Sequence, residues 1–336
     1  MISARLVILT ISRRAFAAGF GGLFLAILHA LPASAQNYPT QVIKIVVPFT
    51  AGGAVDVVAR IVAPKLSAAL GQPVIIENKG GAGGVLGATA VAQAAPDGYT
   101  LLVGTVSTQG TNSAVYTKLS YDPVRDFAPI VLLSKSPLVM EARPALPAKN
   151  VTEFIALAKR EPGKITYGSY GTGSINHLVA ELFNSMAGIQ TRHVPYRGSA
   201  PMLQDLIGGQ IDYAFDGVST SAGYINAGTL RLLGIASAER TPVLPNAPTI
   251  AESGLPGFDN PVWFGLFAPT GTPAPIVQKL NSQMNGILAM SDVKQAFAKL
   301  GFEPGGGSSD ALAQRVSSEI KKWTALVKEK NIHVDQ

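Results

Sequence analysis

The sequence predicts an α/β protein of two domains, and three observations lead to that prediction. Short β-branched apolar runs alternate along the chain with stretches of helical periodicity, which is the pattern of α/β proteins. The chain has 336 residues, of which 47% are hydrophobic and 14% are charged, so it is long enough for two domains with large cores. A strand followed by a glycine-rich turn and a helix occurs near the start of the chain and again near its middle. We therefore expect one such unit in each domain.

The first 35 residues have the features of a secretory signal peptide. A positive start, formed by Arg5 with Arg13 and Arg14, precedes the uncharged and mostly apolar stretch Ala15 to Leu31. Ala33 to Ala35 then offers a small-residue cleavage site. Cleavage after Ala35 is predicted, with an uncleaved anchor as the alternative. The paired arginines also match a twin-arginine signal, so the export route stays open.

Composition excludes several classes of function. The chain contains no cysteine, so disulfides, thiolate nucleophiles and zinc–thiolate sites are ruled out. Cleavage after Ala35 would remove three arginines and no acidic residue, which lowers the net charge from +6 to +3. The basic balance therefore belongs partly to the signal, and nucleic acid is not an expected partner. No metal-binding motif occurs in the sequence, and neither a metal nor a cofactor is predicted.

The first strand–turn–helix unit begins at Lys44. Lys44 to Val47 is typical of a buried strand, and Pro48 cannot continue that strand because it has no N–H to donate. Gly52 and Gly53 permit a tight turn, after which apolar residues recur with helical spacing. Free N–H groups at a helix N-terminus attract negative charge, so we interpret the turn as a cradle for a carboxylate. An ordinary tight connection is the alternative, and Asp56 either caps the helix or points into the site.

Two more loops follow strands of the first domain. The strand Gln72 to Glu77 leads into the glycine loop Asn78 to Gly87 and then into an Ala-rich helix that ends near Ala95. A dinucleotide fingerprint is not matched, because Leu86 stands where the third glycine belongs. We expect a loop that approaches other backbone closely. The strand Tyr99 to Val103 leads into the polar loop Thr105 to Gly110. Ligands gather at the carboxyl ends of parallel strands, which places both loops beside the first turn.

The second domain repeats this design. Strands at Asp126 to Leu133 and Pro137 to Met140 leave the first domain. The strand Ile165 to Gly168 then leads into the loop Ser169 to Asn176, which is rich in glycine and hydroxyl groups and precedes a helix beginning at His177. Two such cradles, one in each domain, indicate a ligand clamped between the domains.

The remaining segments are expected to support this arrangement. The short strand His193 to Tyr196 precedes a helix, and the strand Ile211 to Phe215 delivers Asp216 at its end. The proline-rich segment Pro242 to Pro261 crosses between the domains, and Val262 to Ala268 is a strand that returns to the first domain. The other expected elements are a strand at Leu230 to Ala236 and helices at Asn150 to Arg160, Met202 to Ile207, Pro275 to Met290, Ser291 to Leu300 and Ser309 to Glu329.

Residues suited to catalysis are few. His177 follows Ser174 by three residues, so a Ser–His dyad of a secreted hydrolase is a rival interpretation. No acid is placed in the sequence to orient the histidine, and no G-x-S-x-G elbow is present. The milder interpretation is that His177 packs or donates one hydrogen bond, and that His193 is a structural group. We predict a binding protein and not an enzyme.

Several blocks of sequence resemble the extracytoplasmic solute-binding receptors of tripartite tricarboxylate transporters, the Bug family. Pro48 to Gly53 with Asp56 is similar to the first signature loop of that family. Glu77 to Gly84 is similar to the second loop, with Lys79-Gly80 in place of the usual Arg-Pro. The other similar blocks are Gly171 to Ser174 with His177, Glu181 and Phe183; His193 to Gly198; Asp205 to Gly209; Pro248 to Phe258; and Trp263 to Pro273. The resemblance covers the whole mature chain, and the blocks taken together are specific to the family.

The resemblance implies a type II periplasmic-binding-protein fold. In that fold two α/β lobes, each a mixed and mostly parallel sheet flanked by helices, are joined by two crossings and close on a ligand. Carboxylate or carbonyl oxygens would be held by backbone N–H groups, hydroxyls and ordered water in the first lobe. The second lobe would tune selectivity through the loop Thr172 to His177 and through Asp216. Hinge closure would create a shape that membrane subunits recognise.

We therefore predict a monomeric periplasmic receptor that delivers a small carboxylate to a tripartite tricarboxylate-type membrane transporter. A ligand-sensing receptor that signals to a partner is a further alternative. The first lobe is expected at residues 36–137 plus 260–336, and the second at residues 138–259. Loops without arginine favour a mono- or dicarboxylate over a tricarboxylate. An aromatic acid or an amino acid, with its ammonium near Asp56 and Asp216, stays open. The expected ligand-binding residues are Phe49, Ala51, Gly52, Gly53, Asp56, Ser107, Thr108, Gln109, Tyr170, Thr172, Gly173, Ser174, His177, Tyr196 and Asp216.

Overall fold

Two β-sheets flanked by helices organise the chain. A computed structural model describes residues 38–330, and the predicted signal peptide lies outside the described residues. Both sheets belong to one unit of the chain that begins at Pro39. Among residues 38–330, no helix combines the length and the apolar character that a membrane span requires.

The bounds of the strands and helices follow. The strands are β1 (Ile43–Val47), β2 (Val74–Asn78), β3 (Thr100–Thr105), β4 (Phe127–Ser136), β5 (Leu138–Ala142), β6 (Thr166–Ser169), β7 (Arg192–Pro195), β8 (Tyr213–Gly217), β9 (Arg231–Ile235), β10 (Val262–Pro269) and β11 (Glu303–Gly306). The helices are α1 (Ala54–Leu70), α2 (Val85–Ala92), α3 (Asn112–Val115), α4 (Val151–Arg160), α5 (Ile175–Ala187), α6 (Ser199–Ile207), α7 (Val218–Asn226), α8 (Ala274–Ala289), α9 (Ser291–Lys299) and α10 (Ser309–Lys330).

The two sheets arrange corresponding strands in the same order, since β2-β1-β3-β10-β4 in the first matches β7-β6-β8-β5-β9 in the second. The six-stranded sheet, which we call the first lobe with its helices, has the order β11-β4-β10-β3-β1-β2. The five-stranded sheet of the second lobe has the order β7-β6-β8-β5-β9. In each lobe the strand that begins the strand–turn–helix unit lies between its two parallel neighbours. The cradles therefore occupy equivalent places in the two lobes, at the carboxyl ends of β1 and β6.

Both sheets are mixed, as expected, but neither is mostly parallel. Strand β10 pairs antiparallel with β3 and β4, and β11 pairs antiparallel with β4. In the second lobe β5 pairs antiparallel with both β8 and β9. The physical reason is the crossings: β5 and β10 each arrive from the other lobe, so each enters its sheet against the direction of its neighbours.

The two crossings between the lobes lie side by side. Pro137 alone joins β4 to β5, and residues 236–261 join β9 to β10. The Ala236 N–H donates to Leu138 O at 2.8 Å, and the Asn260 N–H donates to Ala236 O at 3.0 Å. These backbone bonds hold the ends of the second crossing against the first.

Three elements differ from the sequence prediction. The expected polar loop from Thr105 to Gly110 is instead a π-helical turn, Ser107–Thr111, that continues into α3. The expected elements also omitted α7 and β11. Two hydrogen bonds stabilise the start of this helical turn. The Thr108 hydroxyl accepts the Thr105 N–H, and the Thr105 hydroxyl accepts the Thr108 N–H.

Candidate functional site

A narrow cavity of about 20 Å³ lies between the two lobes. Strand ends and helix starts from both lobes form its walls. The lining residues are Phe49, Ala54, Val55, Thr105, Val106, Ser107, Leu138, Tyr170, Ile175, Asn176, Gly217, Val262 and Phe264. None of these described residues carries a charged side chain, so an anion bound here would depend on dipoles and hydrogen bonds.

The N-terminus of α1 forms one wall of this cavity. Gly52 has a φ of 83° and provides the left-handed turn that the sequence predicted. Gly53 is the N-cap residue in an extended conformation, and no side chain caps the helix. Ala54 and Val55, the first two helical residues, line the cavity. The first N–H groups of a helix have no intrahelical acceptor, so this turn brings such donors to the side of the cavity.

Asp56 stabilises this turn from within the first lobe. Its carboxylate is 2% exposed and accepts hydrogen bonds from the Gly52 N–H at 2.9 Å, Arg60 Nε at 2.7 Å and Asn78 Nδ2 at 2.9 Å. Burial raises the pKa of Asp56, but these three donors outweigh it and hold the pKa below its ordinary value. Of the two roles predicted for Asp56, the contacts therefore support the structural one.

The turn after β3 contributes one of its three expected residues to the cavity. Ser107 lines the cavity, and its Oγ accepts the Ile175 N–H at 2.9 Å. The hydroxyl of Thr108 is bonded to the Thr105 N–H, and Thr108 is absent from the cavity wall. Gln109 is fully buried, and its amide makes no hydrogen bond within the described part of the chain. Neither Thr108 nor Gln109 lines this cavity.

The glycine loop of the second lobe meets the first lobe. Thr111 Oγ1 donates to Gly173 O at 2.6 Å, and the Tyr116 hydroxyl lies 2.8 Å from Thr172 O. A Cβ at Gly83 would stand 2.9 Å from Thr172 O, and the φ of Gly83 is 62°. The predicted close approach of the first-lobe glycine loop is therefore present, and its partner is the second lobe.

Ser174 and His177 do not form a dyad. Ser174 Oγ accepts the His177 backbone N–H at 3.4 Å and is the N-cap of α5. His177 Nδ1 accepts the Gly173 N–H at 3.2 Å. Among residues 38–330, no hydrogen bond joins Ser174 Oγ to the imidazole ring. Both side chains bond to backbone N–H groups of this segment, and the Ser–His pair that the hydrolase interpretation requires is not formed.

His177 stacks on His193 with ring centroids 4.1 Å apart. Burial lowers the pKa of His177 to about 4. Burial, followed by the neighbouring His177, lowers the pKa of His193 to about 3. Ser169 Oγ lies 2.6 Å from His193 Nε2. Both imidazoles are neutral near pH 7, which agrees with the structural role predicted for His193.

Asp216 lies behind the cavity wall. Its oxygens accept hydrogen bonds from Tyr170 Oη, from the Gly217 N–H at 2.5 Å and from Ser199 Oγ at 2.6 Å. Burial raises the pKa of Asp216, and these donors offset part of the rise. Burial and the charge of Asp216 raise the pKa of the buried Glu141 further. Asp216 is therefore the ionised member of this pair, and its oxygens are already engaged.

Tyr170 connects this carboxylate to the ligand cavity. Its ring lines the cavity and contacts Phe49 edge to face, with centroids 5.7 Å apart. The two aromatic residues come from different lobes, so both predicted ligand contacts are brought together.

The remaining predicted contacts lie away from the cavity wall. Tyr196 donates to Asp205 Oδ2 at 2.7 Å, and burial raises the pKa of Tyr196. Ala51 is exposed. Thr172 faces the first lobe through its backbone. The cavity wall contains three of the residues predicted from the sequence: Phe49, Ser107 and Tyr170.

Sequence reasoning missed the residues that the crossings bring to the cavity. Leu138 follows the first crossing, and Val262 and Phe264 follow the second. The spacing of Val262 and Phe264 places both on one face of a strand, which is the one local signal that could have paired them. Asn176 and Gly217 were missed although each stands beside a predicted contact. Both lie at the start of a helix that follows a strand.

Comparisons with known proteins agree with this geometry. Residues 58–332 match the model of the tripartite tricarboxylate transporter family receptor. BugT of Bordetella pertussis is 36% identical over 310 residues, which cover 92% of this chain and 95% of BugT. A structure of Rpa4515 from R. palustris with adipate has a TM-score of 0.86 and 38% identity, covering 88% of this chain and 100% of that one.

A second solved structure is MatC of Rhodopseudomonas palustris with bound malate. It has a TM-score of 0.83 and 40% identity, and the match covers 86% of this chain and 100% of the MatC chain. The two-lobed periplasmic-binding-protein architecture is shared with both structures, which confirms the fold expected from the sequence. On the match of the family model, the relatives and the fold, this chain belongs to the tripartite tricarboxylate transporter receptor family, the solute-binding Bug receptors.

Proposed function

We propose that this protein captures a small carboxylate between its lobes and delivers it to the membrane subunits of a tripartite tricarboxylate-type transporter. The observation that carries the proposal is the uncapped N-terminus of α1, whose first two helical residues, Ala54 and Val55, line the cavity. A carboxylate there would satisfy N–H groups that lack acceptors and would meet the positive end of the helix dipole. In a partly buried site such an interaction is worth up to ~2 kcal/mol.

The cavity favours a mono- or dicarboxylate over a tricarboxylate. Apolar side chains such as Phe49, Val262 and Phe264 form most of its wall. Among the described lining residues no arginine or lysine is present to neutralise a third carboxylate. The adipate bound by Rpa4515 and the malate bound by MatC support a carboxylate as the class of ligand.

The remaining parts of the proposal concern the form in which the protein works. We propose that it is exported and loses residues 1–35, and that it acts as a monomer without turnover of its ligand. The lobes are residues 36–137 plus 260–336 and residues 138–259. The division of the strands between two sheets supports these bounds. The local bonds of Ser174 and His177 support binding without catalysis.

Native mass spectrometry of the gently purified mature protein is the first test. Denaturation should release one unmodified small carboxylate per chain. Calorimetric titration with butyrate, benzoate, adipate, malate and citrate then ranks the ligands. We expect at least one mono- or dicarboxylate to bind more tightly than citrate. Citrate binding far more tightly than the others would contradict the ligand class, and release of a neutral sugar or an amine would contradict carboxylate capture.

A further inference from the structure

The amide of Asn176 is an unsatisfied part of the cavity wall. Asn176 is the second residue of α5, is 0% exposed and lines the cavity beside Tyr170 and Ile175. Its Nδ2 donates to Phe215 O at 2.7 Å. Its Oδ1 has no hydrogen-bond donor within the described part of the chain. A buried amide oxygen without a donor costs free energy, so a bound molecule that supplies a donor would be favoured.

The orientation of this amide follows from its partner. Phe215 O is a carbonyl and can only accept, so the atom that faces it must be the NH₂ group. The oxygen is therefore the atom left free. A ligand that meets Asn176 needs an O–H or N–H group at that point.

An ammonium group fits this position poorly. Asp216 is connected to the cavity through Tyr170, and its oxygens already accept from Tyr170, Ser199 and Gly217. No acidic side chain stands among the described lining residues. A cation there would lose its hydration without gaining a counter-ion.

A second carboxylate at Asn176 also fits poorly. Its oxygens would face Oδ1, which would set two acceptors against each other. A neutral hydroxyl group needs one acceptor and carries no charge to compensate, so it matches the single free oxygen of Asn176. The apolar side chains around it, such as Val262 and Phe264, would contact the body of the ligand.

We propose that the ligand is a hydroxyl-bearing monocarboxylate with an apolar body, and that Asn176 Oδ1 accepts its hydroxyl hydrogen. The inference rests on the proposed function, because the carboxylate of this ligand is the group held at the N-terminus of α1. Asn176 is then the residue that separates hydroxylated acids from their deoxy counterparts.

Matched ligand pairs test this inference by calorimetric titration of the mature protein. The pairs are 3-hydroxybutyrate with butyrate, and 3- and 4-hydroxybenzoate with benzoate. We expect at least one hydroxylated acid to bind about tenfold more tightly than its deoxy counterpart. In Asn176→Leu that ratio should fall to about one, because the acceptor is gone and the deoxy acid loses nothing.

Asn184→Leu is the matched control. Asn184 lies on the same helix and is buried, and its amide bonds to Thr191, away from the cavity. The tenfold ratio should persist in this variant even if its stability falls. Where Asn176→Leu does not fold, Asn176→Ala gives the same measurement, and the wild-type ratio remains decisive.

The possible failures are distinguishable. A ratio near one for every pair in the wild-type protein overturns this inference while leaving carboxylate capture intact. A ratio that survives in Asn176→Leu also overturns it. Failure of every carboxylate to bind overturns the inference together with the proposed function.

Discussion

The backbone N–H of Ile175 donates to Ser107 Oγ across the two lobes at 2.9 Å. Both residues line the cavity, so this bond closes one side of the chamber in which the ligand would lie. The hydroxyl of a serine can donate while it accepts, and its own hydrogen stays available for a ligand oxygen. Ser107 thus joins closure of the lobes to recognition of the ligand.

Ser107→Ala should therefore weaken carboxylate binding by about tenfold. The substitution leaves the buried Ile175 N–H without its acceptor in the closed form and removes a donor from the cavity. Calorimetric titration with the best-binding carboxylate measures the change. Ser113→Ala is the control, because Ser113 Oγ bonds to the nearby Gly110 O and does not line the cavity, and it should bind as the wild type does. Unchanged affinity in Ser107→Ala would remove this serine from the site.

Tyr116→Phe should favour the open form. The Tyr116 hydroxyl lies 2.8 Å from Thr172 O of the second lobe and 3.0 Å from Ala82 O of its own lobe. Loss of this hydroxyl removes a bond between the lobes, so small-angle scattering should show a more extended protein at ligand concentrations that close the wild type. Affinity should fall by roughly threefold to tenfold.

Tyr121→Phe provides the comparison for that variant. The Tyr121 hydroxyl bonds to Thr108 O at 2.7 Å and to Asn112 Nδ2 at 3.1 Å, all within the first lobe. This variant should lose thermal stability without a shift toward the open form. If both tyrosine variants open equally, the effect belongs to general destabilisation and not to the contact with Thr172.

Gly53 should tolerate one methyl group but not a branched side chain. A Cβ at Gly53 would stand 3.6 Å from Thr50 O and 3.7 Å from Ser199 Cβ, which is ordinary contact, and its φ of −78° suits any residue. Gly53→Ala should therefore bind with near-normal affinity. Gly53→Val would place further atoms between the lobes beside the α1 N-terminus and should lower affinity by more than tenfold with the fold retained. Normal affinity in Gly53→Val would contradict the cradle at this turn.

The stacked histidines predict a loss of stability in acid. The pKa of His177 falls from 6.5 to about 4 on folding, so the unfolded chain binds more protons between those values and stability declines as pH falls through that window. For a group this deeply buried the loss amounts to about 3 kcal/mol. Urea unfolding between pH 7 and pH 4 measures the slope.

His177→Phe should flatten that decline in stability between pH 7 and pH 4. Glu141→Gln tests a buried group whose effect on stability has the opposite dependence on pH. The raised pKa of Glu141 favours the folded state at low pH, since the fold then holds a proton that the unfolded chain releases. Removing Glu141 should therefore steepen the decline in acid. An unaltered slope in His177→Phe would show that other groups control the acid side.

Local sequence predicted the elements whose signals are local. The β-branched run of β1 and the glycine turn before α1 predicted the first cradle within one or two residues of its observed bounds. Helix α7 was missed because its serines, threonine and glycine are weak helix formers. Packing of Val218 and Ala222 against Val139 and its neighbours stabilises it instead. Strand β11 was missed because proline and glycine are rare in strands, and it forms as an edge strand beside β4, where Pro304 lies opposite Ser134.

The site was harder to predict than the fold because its wall comes from distant parts of the chain. Leu138 and Phe264 reach the cavity only because the crossings carry β5 and β10 into opposite sheets. The polar candidates Thr108, Ser174 and Asp216 do not line the cavity, and they form hydrogen bonds within the protein. Sequence alone does not reveal which acceptors are already occupied.

The placement of β10 also governs how the chain can acquire its shape. All strands of the second lobe lie in one continuous stretch, whereas the first sheet needs β10 to bridge β3 and β4. Phe264 must therefore pair with Thr105 across about 160 residues of intervening chain, and contacts so distant in sequence form slowly. A newly made chain would complete its second lobe first. The unpaired edges of β3 and β4 would stay exposed until about the last quarter of the chain arrives, and in that interval aggregation and proteolysis are most damaging.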